Sequence, residues 1–365
     1  MGLEIGIAAV KAVVVLLMLL NLAGLLGWIE RKGSALIQDR IGANRAAVFG
    51  FAGAGLVNTL MADPLKFITK EDVVPAGADR FLHFIAPCVS LFPALVTFAV
   101  IPFGDVLEVG GRVINLQVAS LNVGILYVLA MVSLGVYGVV LGGWASNNRW
   151  SLLGGIRGSA QMISYEIAVG LSIVAMVMTY GSLDLQVMAR AQGGVLSPWL
   201  PLPAWGIFYQ PLAFLILLCG GMAESKRVPF DLPEAESELV SGYFTEYSGV
   251  KHLMFFMTDF VEVIIVSGLL TTMFFGGWQV PFLARDGFHF PGGGAVLLPQ
   301  LVVAVLQLIS FTVKVVFFCW LQIMIRWTLP RFRYDQLMRL GWKGLLPLAL
   351  ANVVLTGAVI LAVHT

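Results

Sequence analysis

Long runs of apolar residues, separated by short polar connections, extend over the whole chain. Eight of these runs reach the length of about 20 mostly apolar residues that is needed to cross the hydrocarbon core of a bilayer. They lie at roughly 4–28, 82–103, 121–143, 159–180, 206–223, 251–276, 298–325 and 342–362. Because only helices and closed barrels satisfy their backbone groups in lipid, the pattern predicts an all-α, polytopic integral membrane protein with one transmembrane domain over residues 1–365.

Two stretches bear on the count of spans. The first apolar run has no basic start and is followed by Glu30, Arg31 and Lys32 instead of a small-residue cleavage site. This is typical of a retained span and not of a cleaved signal peptide. A ninth span within 183–205 would be interrupted by three prolines, so we interpret that stretch as a loop.

A further apolar segment, 46–67, begins and ends on the same side of the predicted membrane. Asn58, Asp63 and Lys66 interrupt it. A segment of this kind predicts an amphipathic helix that lies in the interface. Next to a tilted first span, such a helix would leave a slot through which an amphiphilic molecule enters from lipid. The alternative is a helix that only anchors the chain.

The composition agrees with a protein that faces lipid. Hydrophobic residues make up 59% of the chain and charged residues only 12%, and the mean hydropathy is +0.90. These values exclude an ordinary soluble fold, which needs a charged surface. Cys88, Cys219 and Cys319 stand alone in apolar stretches, without the spacing of a metal or cluster site. We therefore expect this chain to bind no metal or flavin.

Lysine and arginine are distributed unevenly between the two sides. All but five of the 22 lie in connections on one side, whereas the opposite connections contain only Arg112, Arg190 and Arg285. Connections rich in Lys and Arg remain in the cytoplasm. We therefore predict that the basic loops are cytoplasmic and that both termini lie outside.

Acidic residues are concentrated where lipid makes them costly. The connection 223–249 contains Glu224, Asp231, Glu234, Glu236, Glu238 and Glu246. Four more ionisable residues fall inside predicted spans: Glu166, Asp259, Glu262 and Lys314. A charge at the centre of a membrane helix costs about 2.5–3.5 kcal/mol on insertion scales. We interpret these residues as a proton relay, since clustered carboxylates raise one another's pKa values.

Simpler explanations of the same residues remain open. Lys314 lies near the depth of Asp259 and Glu262, which share one helix face, so the three can form an inert ion pair network. Glu234, Glu236 and Glu238 can instead stabilise the positive N-terminal end of a short helix.

Several long blocks on the predicted cytoplasmic side are distinctive. They are ERK (30–32) with QDRIGANR (38–45), LMADPLKFITKED (60–72), GWASNNRWSLLGGIRGSAQMISYE (143–166), AESKRVPFDLPEAESELVSGYFTEYSG (223–249) and PRFRYDQLMRLGWK (330–343). In these blocks the chain resembles the quinone-site membrane subunit of respiratory complex I, its H subunit. One departure is Ala43, where that family usually has Pro; it relaxes a turn and puts no catalytic role in doubt.

The resemblance implies roles for individual residues. The positions that line or flank a quinone tunnel in the family correspond to Arg40, Ala62, Asp63, Lys66 and Phe230. The acid chain that leads from the quinone cavity into the membrane corresponds to Glu166, Glu224, Asp231, Glu234, Glu236, Glu238 and Glu246.

The resemblance also implies a substrate and partners. Quinone would be the substrate, reduced against soluble iron–sulfur and quinone-site subunits on the cytoplasmic face, while flavin, NADH and clusters would lie in other chains. Other membrane subunits, antiporter-like ones among them, and membrane lipid are further expected partners; nucleic acid is not. The expected location is the inner (plasma) membrane of the cell.

The expected function is a membrane subunit of a proton-pumping NADH:quinone oxidoreductase that forms much of the quinone tunnel and couples quinone reduction to proton translocation. One alternative is the membrane anchor of an energy-converting hydrogenase, which the soluble subunits that co-purify would reveal. Another is a stand-alone ion/proton antiporter, which inverted repeats and interrupted helices would support.

Overall fold

The apolar runs fold as helices, because a helix bonds its own backbone groups and leaves none exposed to lipid. The computed structural model describes residues 2–45, 47, 50, 53–109, 111–197, 200–289 and 294–364. The α-helices in these ranges are α1 (Gly2–Ile37), α2 (Asp63–Thr69), α3 (Arg80–Thr97), α4 (Gly124–Ala145), α5 (Arg149–Tyr180), α6 (Leu185–Ala191), α7 (Gly206–Tyr209), α8 (Pro211–Glu224), α9 (Glu236–Leu239), α10 (Gly249–Phe274), α11 (Gln300–Thr328), α12 (Tyr334–Arg339) and α13 (Leu346–His364).

Shorter elements connect these helices. Single 3₁₀ turns occur at Gly53–Gly55, Phe98–Val100 and Gly242–Phe244, and π-helical turns at Asn58–Ala62 and Leu340–Leu345. The strands are β1 (Val106–Val109), β2 (Arg112–Asn115), β3 (Val195–Ser197), β4 (Leu200–Pro203), β5 (Gly287–His289) and β6 (Ala295–Leu297). Successive strands pair as three antiparallel hairpins, β1 with β2, β3 with β4 and β5 with β6.

The prediction of a helical membrane protein is confirmed. Seven helices of the described part of the chain are long and apolar enough to cross a membrane. The remaining predicted span, 206–223, is interrupted, because α7 ends at Tyr209 and α8 begins only at Pro211. Proline begins α8 at the position where its missing N–H has no cost. The total of eight spans therefore stays a prediction.

The predicted interfacial helix, 46–67, begins later than expected. Ala47 and Gly50 are not helical, and the other residues before position 53 in this range lie outside the described residues. Helical structure runs from Gly53 to Thr69 and includes the π-helical turn. This segment, which we call the slanted segment (53–69), packs on the second half of α1 and on the start of α10.

The centre of the bundle is α10. Its side chains are buried over most of its length, and it packs against α1, α3, α8 and α11. Small residues bring the neighbouring helices close: a Cβ at Gly138 would lie 2.6 Å from the backbone nitrogen of Ser90, and one at Gly143 would lie 2.6 Å from the carbonyl oxygen of Ser151. Close approach through small residues is the usual way in which membrane helices associate.

The connections on the side poor in Lys and Arg have a defined structure. They contain the three hairpins, and Asp105 joins them, since its carboxylate pairs with Arg190 and Arg285. We call this the hairpin end of the bundle. The opposite end, which we call the acid-loop end, carries the acidic connection 225–248.

Candidate functional site

The acidic connection folds as an ordered loop between α8 and α10. It holds only the short α9 and the 3₁₀ turn at Gly242–Phe244, because Pro229 and Pro233 prevent a longer helix. Gly242 has a φ of +59°, and a Cβ there would lie 1.6 Å from the carbonyl oxygen of Pro233. Only glycine fits this turn. The loop is thereby fixed against the helices, and its Ser225, Lys226 and Asp231 are buried.

Lys226 lies at the middle of the site, and its side chain has no exposed surface. Its Nζ donates hydrogen bonds of 3.1 and 2.9 Å to the two carboxylate oxygens of Glu262 and lies 3.1 Å from Oδ1 of Asp259. Burial opposes the charged form, but Glu262 and Asp259 outweigh it and raise the pKa of Lys226. From the sequence, this lysine was interpreted only as one of the basic residues that determine the orientation of the chain in the membrane.

The expected pairing of Lys314 with Asp259 and Glu262 is wrong. Lys314 lies at the hairpin end, where its Nζ donates to the carbonyl oxygens of Phe275, Gly277 and Gln279 at 2.9, 3.0 and 2.7 Å. These carbonyl groups lie in the turn that follows α10, where no helical hydrogen bond occupies them, so they are available to the ammonium group. Sequence alone shows no signal for such backbone ligands.

Glu224 ends α8 and is buried, and its Oε1 has no hydrogen-bond donor among the described residues. It interacts electrostatically with Glu166 and with Glu262. Glu166 on α5 accepts a hydrogen bond from the hydroxyl of Ser133 on α4. Glu224 also borders a cavity of about 10 Å³ whose other lining residues are apolar. Three acids from α5, α8 and α10 thus meet inside the bundle.

Two further acids of the loop lie beside this group. Asp231 pairs with Arg331 at 2.6 Å through Oδ2, yet burial raises its pKa above the ordinary value in spite of that arginine. Burial and the carboxylates of Asp259 and Asp231 raise the pKa of Glu234 well above its usual range. Glu234 is therefore a group that holds a proton more readily than an exposed glutamate does.

An arginine pair closes one side of the site. Glu30 of α1 accepts hydrogen bonds from Arg227 at 2.6 Å and pairs with Arg326 of α11 at 2.7 Å. The guanidinium of Arg227 stacks on the ring of Phe260, 3.9 Å from its centroid. These residues border a cavity of about 10 Å³ between α1, α8, α10 and α11. No role was predicted for Glu30 from the sequence. A glutamate directly before two basic residues at a helix end is nevertheless a signal for an ion pair.

The other acids of the loop lie apart from this group. Glu238 is half-exposed and pairs with Arg157 at 2.7 Å. Glu246 accepts a hydrogen bond of 2.6 Å from the side chain of Asn148. The backbone of Glu236 belongs to α9, but its side chain lies outside the described residues. For these three, a role in proton transfer stays a prediction.

The predicted quinone residues fall into separate places. Asp63 pairs with Arg31 of α1 and lies 3.6 Å from the ammonium group of Lys66. Ala62 precedes Asp63 at the junction of the π-helical turn with α2. Arg40 is exposed and donates to Gln38.

Phe230 is buried on the other side of the site. It packs against Tyr165 and Phe332, with ring centroids 5.5 and 5.4 Å apart. Its carbonyl oxygen accepts a hydrogen bond of 2.6 Å from Gln161. Through these contacts Phe230 holds the loop in place.

Chemically, the site contains more acids than cations to neutralise them. Arg227 and Arg326 share Glu30, Arg331 pairs with Asp231, and Lys226 binds Glu262. In this group the structure shows no ion pair for Glu166, Glu224 and Glu234 among the described residues, whereas Asp259 shares Lys226 with Glu262. Neighbouring carboxylates in a low-dielectric interior cannot all be ionised at once, so such a group takes up and releases protons as a unit.

Comparison with known proteins places the chain beside one group of membrane proteins. A family model described as NADH dehydrogenase matches residues 10–357. The chain is 48% identical to the NADH-quinone oxidoreductase H subunit (number 2) of Geobacter sulfurreducens, over 99% of each chain. It is 46% identical to the corresponding H subunit (number 1) of Cytophaga hutchinsonii over 91% of this chain and 90% of the relative. It is 42% identical to the H subunit of Bdellovibrio bacteriovorus, over 98% and 97% of the two chains.

Proposed function

Because the chain belongs to the H-subunit family of NADH-quinone oxidoreductases, a membrane part of complex I, we propose that it forms much of the quinone tunnel and couples quinone reduction to proton translocation. The family confirms the resemblance drawn from the cytoplasmic blocks. It also selects the complex I membrane subunit over the hydrogenase anchor and the stand-alone antiporter. The observation that supports the coupling role best is the group of Glu166, Glu224, Glu234 and Asp259, in which Asp259 alone has an ion pair among the described residues, with the shared Lys226.

The group lies where redox chemistry can act on it. Reduction of a quinone takes up protons as well as electrons. When the quinone is reduced, either a negative charge develops beside the acids or a group beside them loses a proton to the quinone. A shift in that charge changes which of Glu234, Asp259, Glu224 and Glu166 hold protons, because each raises the cost of ionising its neighbours. Movement of one charge against 100 mV costs about 2.3 kcal/mol. A group of electrostatically coupled carboxylates can supply a change of that order.

The path of the quinone is the slot between α1, the slanted segment and α10. Met61, Leu65 and Ile68 leave an apolar face of the slanted segment exposed, as a segment bordering lipid requires. Asp63, Arg31 and Lys66 supply hydrogen-bonding groups at the same segment. A quinone combines a long apolar tail with a polar ring. The apolar face of the slanted segment suits the tail, and its hydrogen-bonding groups suit the ring.

The partners follow from the same proposal. Exposed basic and aromatic side chains at the acid-loop end, among them Arg40, Arg333 and Tyr334, form the surface on which soluble iron–sulfur and quinone-site subunits would dock. The long apolar faces of α1, α11 and α13 would contact lipid and the other membrane subunits, including antiporter-like ones. The chain then lies in the plasma membrane, with this end in the cytoplasm.

The coupling role is tested by Glu224→Gln in the assembled complex. In membrane vesicles we expect the number of protons pumped per NADH oxidised to fall at least tenfold, with the complex still assembled. Glu108→Gln is the matched control, since Glu108 is an exposed carboxylate in β1 at the hairpin end. A normal pumping ratio in the Glu224 variant would contradict the proposal.

The quinone role is tested on the slanted segment. Asp63→Asn removes the charge that holds Arg31 and is expected to raise the apparent KM for a short-chain quinone several-fold, with less change in kcat. Arg40→Ala should weaken binding of quinone or of a quinone-site inhibitor. Unaltered KM and inhibitor affinity in both variants would show that these residues only direct topology or anchor the segment.

A further inference from the structure

Lys226 is bound unequally by its two carboxylate neighbours on α10. Both oxygens of Glu262 accept hydrogen bonds from its ammonium group, at 3.1 and 2.9 Å. The contact to Asp259 is different, because Oδ1 lies 3.1 Å away but receives no hydrogen bond from any described residue. Charge-assisted bonds to both oxygens of a carboxylate are much stronger than a charge contact alone.

The groups that surround Glu262 differ from those that surround Asp259. Glu262 faces α4, where a Cβ at Gly135 would lie 3.8 Å from its Oε1. Asp259 is the carboxylate that acts most strongly on Glu234 of the loop. It also acts on the buried hydroxyl group of Tyr243, which has no hydrogen-bond partner among the residues described. Asp259 therefore contacts Lys226 through Oδ1 and has titratable neighbours toward the loop, whereas Glu262 interacts with Glu224 of α8.

We propose that Lys226 is a positioning residue that neutralises Glu262 as a permanent ion pair, so that Asp259 alone on α10 exchanges protons with the loop acids. This assignment rests on the proposed coupling function and narrows it. Glu262 was predicted to belong to the proton relay. In this proposal its role is instead that of the counter-charge that holds Lys226 in place. Removal of either partner leaves a buried charge without its counter-charge, whereas removal of both leaves the site neutral.

Two charge-matched double variants separate this assignment from simple charge balance. Lys226→Met with Glu262→Gln, and Lys226→Met with Asp259→Asn, each remove one cation and one carboxylate from the same place. The assembled complex is assayed in membrane vesicles for NADH oxidation and for protons pumped per NADH, with assembly verified on native gels. The pumping ratio is measured only on assembled complex, so a loss of folding does not imitate a loss of coupling.

The expected results are asymmetric. The single variants Lys226→Met and Glu262→Gln should lower the pumping ratio at least fivefold, and the double variant that lacks Lys226 and Glu262 should return it to within about twofold of the wild type. The double variant that lacks Lys226 and Asp259 should stay at least tenfold lower. Equal recovery in the two double variants, or recovery only in the one that retains Glu262, would overturn the assignment.

The same series distinguishes this inference from the broader proposal. If the coupling function itself is wrong, Asp259→Asn and Glu224→Gln alone will pump normally in the assembled complex. If only the assignment of Lys226 and Glu262 is wrong, those two variants will be uncoupled, and the two double variants will fail to differ in the expected direction.

Discussion

The two ends of the bundle bury carboxylates in opposite ways. At the hairpin end, Oδ1 of Asp105 accepts from Nε of Arg190 at 2.8 Å, and Oδ2 accepts from Nε of Arg285 at 2.9 Å. At the acid-loop end, Glu224 and Asp259 each retain a buried oxygen without a hydrogen bond from any described residue. The comparison teaches that burial alone does not mark a functional acid. What distinguishes the two ends is whether each carboxylate oxygen receives a hydrogen bond.

The difference has a physical reason. A carboxylate whose oxygens are both held by cations is locked in its charged form, and it serves to join the segments that supply the partners. Asp105 joins three connections that are far apart in sequence. A carboxylate that shares its surroundings with other carboxylates is costly to ionise and changes protonation easily. The acid-loop end therefore gives up stability for the ability to hold and release protons.

The largest effect on stability is expected at the hairpin end. Asp105→Ala leaves Arg190 and Arg285 without their shared partner, and breaking a buried ion pair on one side costs about 3–5 kcal/mol. Because both arginines are partly exposed, we expect about 3 kcal/mol. The yield of assembled complex and its thermal unfolding midpoint should both fall. An unchanged midpoint would mean that the hairpins are held by their apolar contacts alone.

The next largest effect on stability is expected at Lys314, which also lies at the hairpin end. Lys314→Met removes a donor from three carbonyl groups in the turn after α10, of which that of Gln279 keeps the hydroxyl of Ser310, and we expect a cost of about 2 kcal/mol. The thermal midpoint of the complex should therefore fall, by less than in the Asp105 variant. If the pumping ratio of assembled complex falls while the midpoint does not, Lys314 belongs to the proton relay and the comparison of the two ends fails there.

A smaller, pH-dependent effect is expected at Glu234. Its pKa in the folded protein lies above the ordinary value of 4.5, so the native state binds this proton more tightly than the unfolded chain. Stability is therefore lost as the pH rises through the raised pKa. Glu234→Gln removes that loss, so its midpoint relative to wild type should increase as the pH rises above about 4.5, the ordinary pKa of the group. A difference that does not vary with pH would contradict the raised pKa.

The smallest effect is expected at Glu238. Its pair with Arg157 is half-exposed, and such pairs contribute at most about 1 kcal/mol. Glu238→Gln should accordingly leave the thermal midpoint almost unchanged, in contrast to the Asp105 variant. A marked loss of stability would show that a neighbouring chain buries this pair in the assembled complex.

The sequence was sufficient for the helices and for the region of the site. Long apolar runs leave little choice but a helix in lipid, and the acids of 223–249 are neighbours in sequence, so their concentration was visible. The interruption at Gln210 was not predicted, because it lies within an apolar run and is marked only by Pro211.

The pairings could not be predicted, since they join distant parts of the chain. Lys226 meets Glu262 across the loop, and Asp105 meets residues 85 and 180 positions away. Depth estimates placed Lys314 beside the acids of α10, but they contain no information about which helix end offers free carbonyl groups. Backbone partners of this kind become visible only in the folded structure.

The central claim is that the acids that keep an oxygen without a hydrogen bond change protonation when quinone is reduced, whereas Asp105 does not. Infrared difference spectroscopy of the assembled complex, recorded on reduction of bound quinone, measures the C=O bands of protonated carboxyl groups. We expect such bands in the wild type and in Asp105→Asn, and a reduced or absent signal in Glu224→Gln and Asp259→Asn. A difference spectrum without carboxyl bands, or one that only the Asp105 variant alters, would contradict the account.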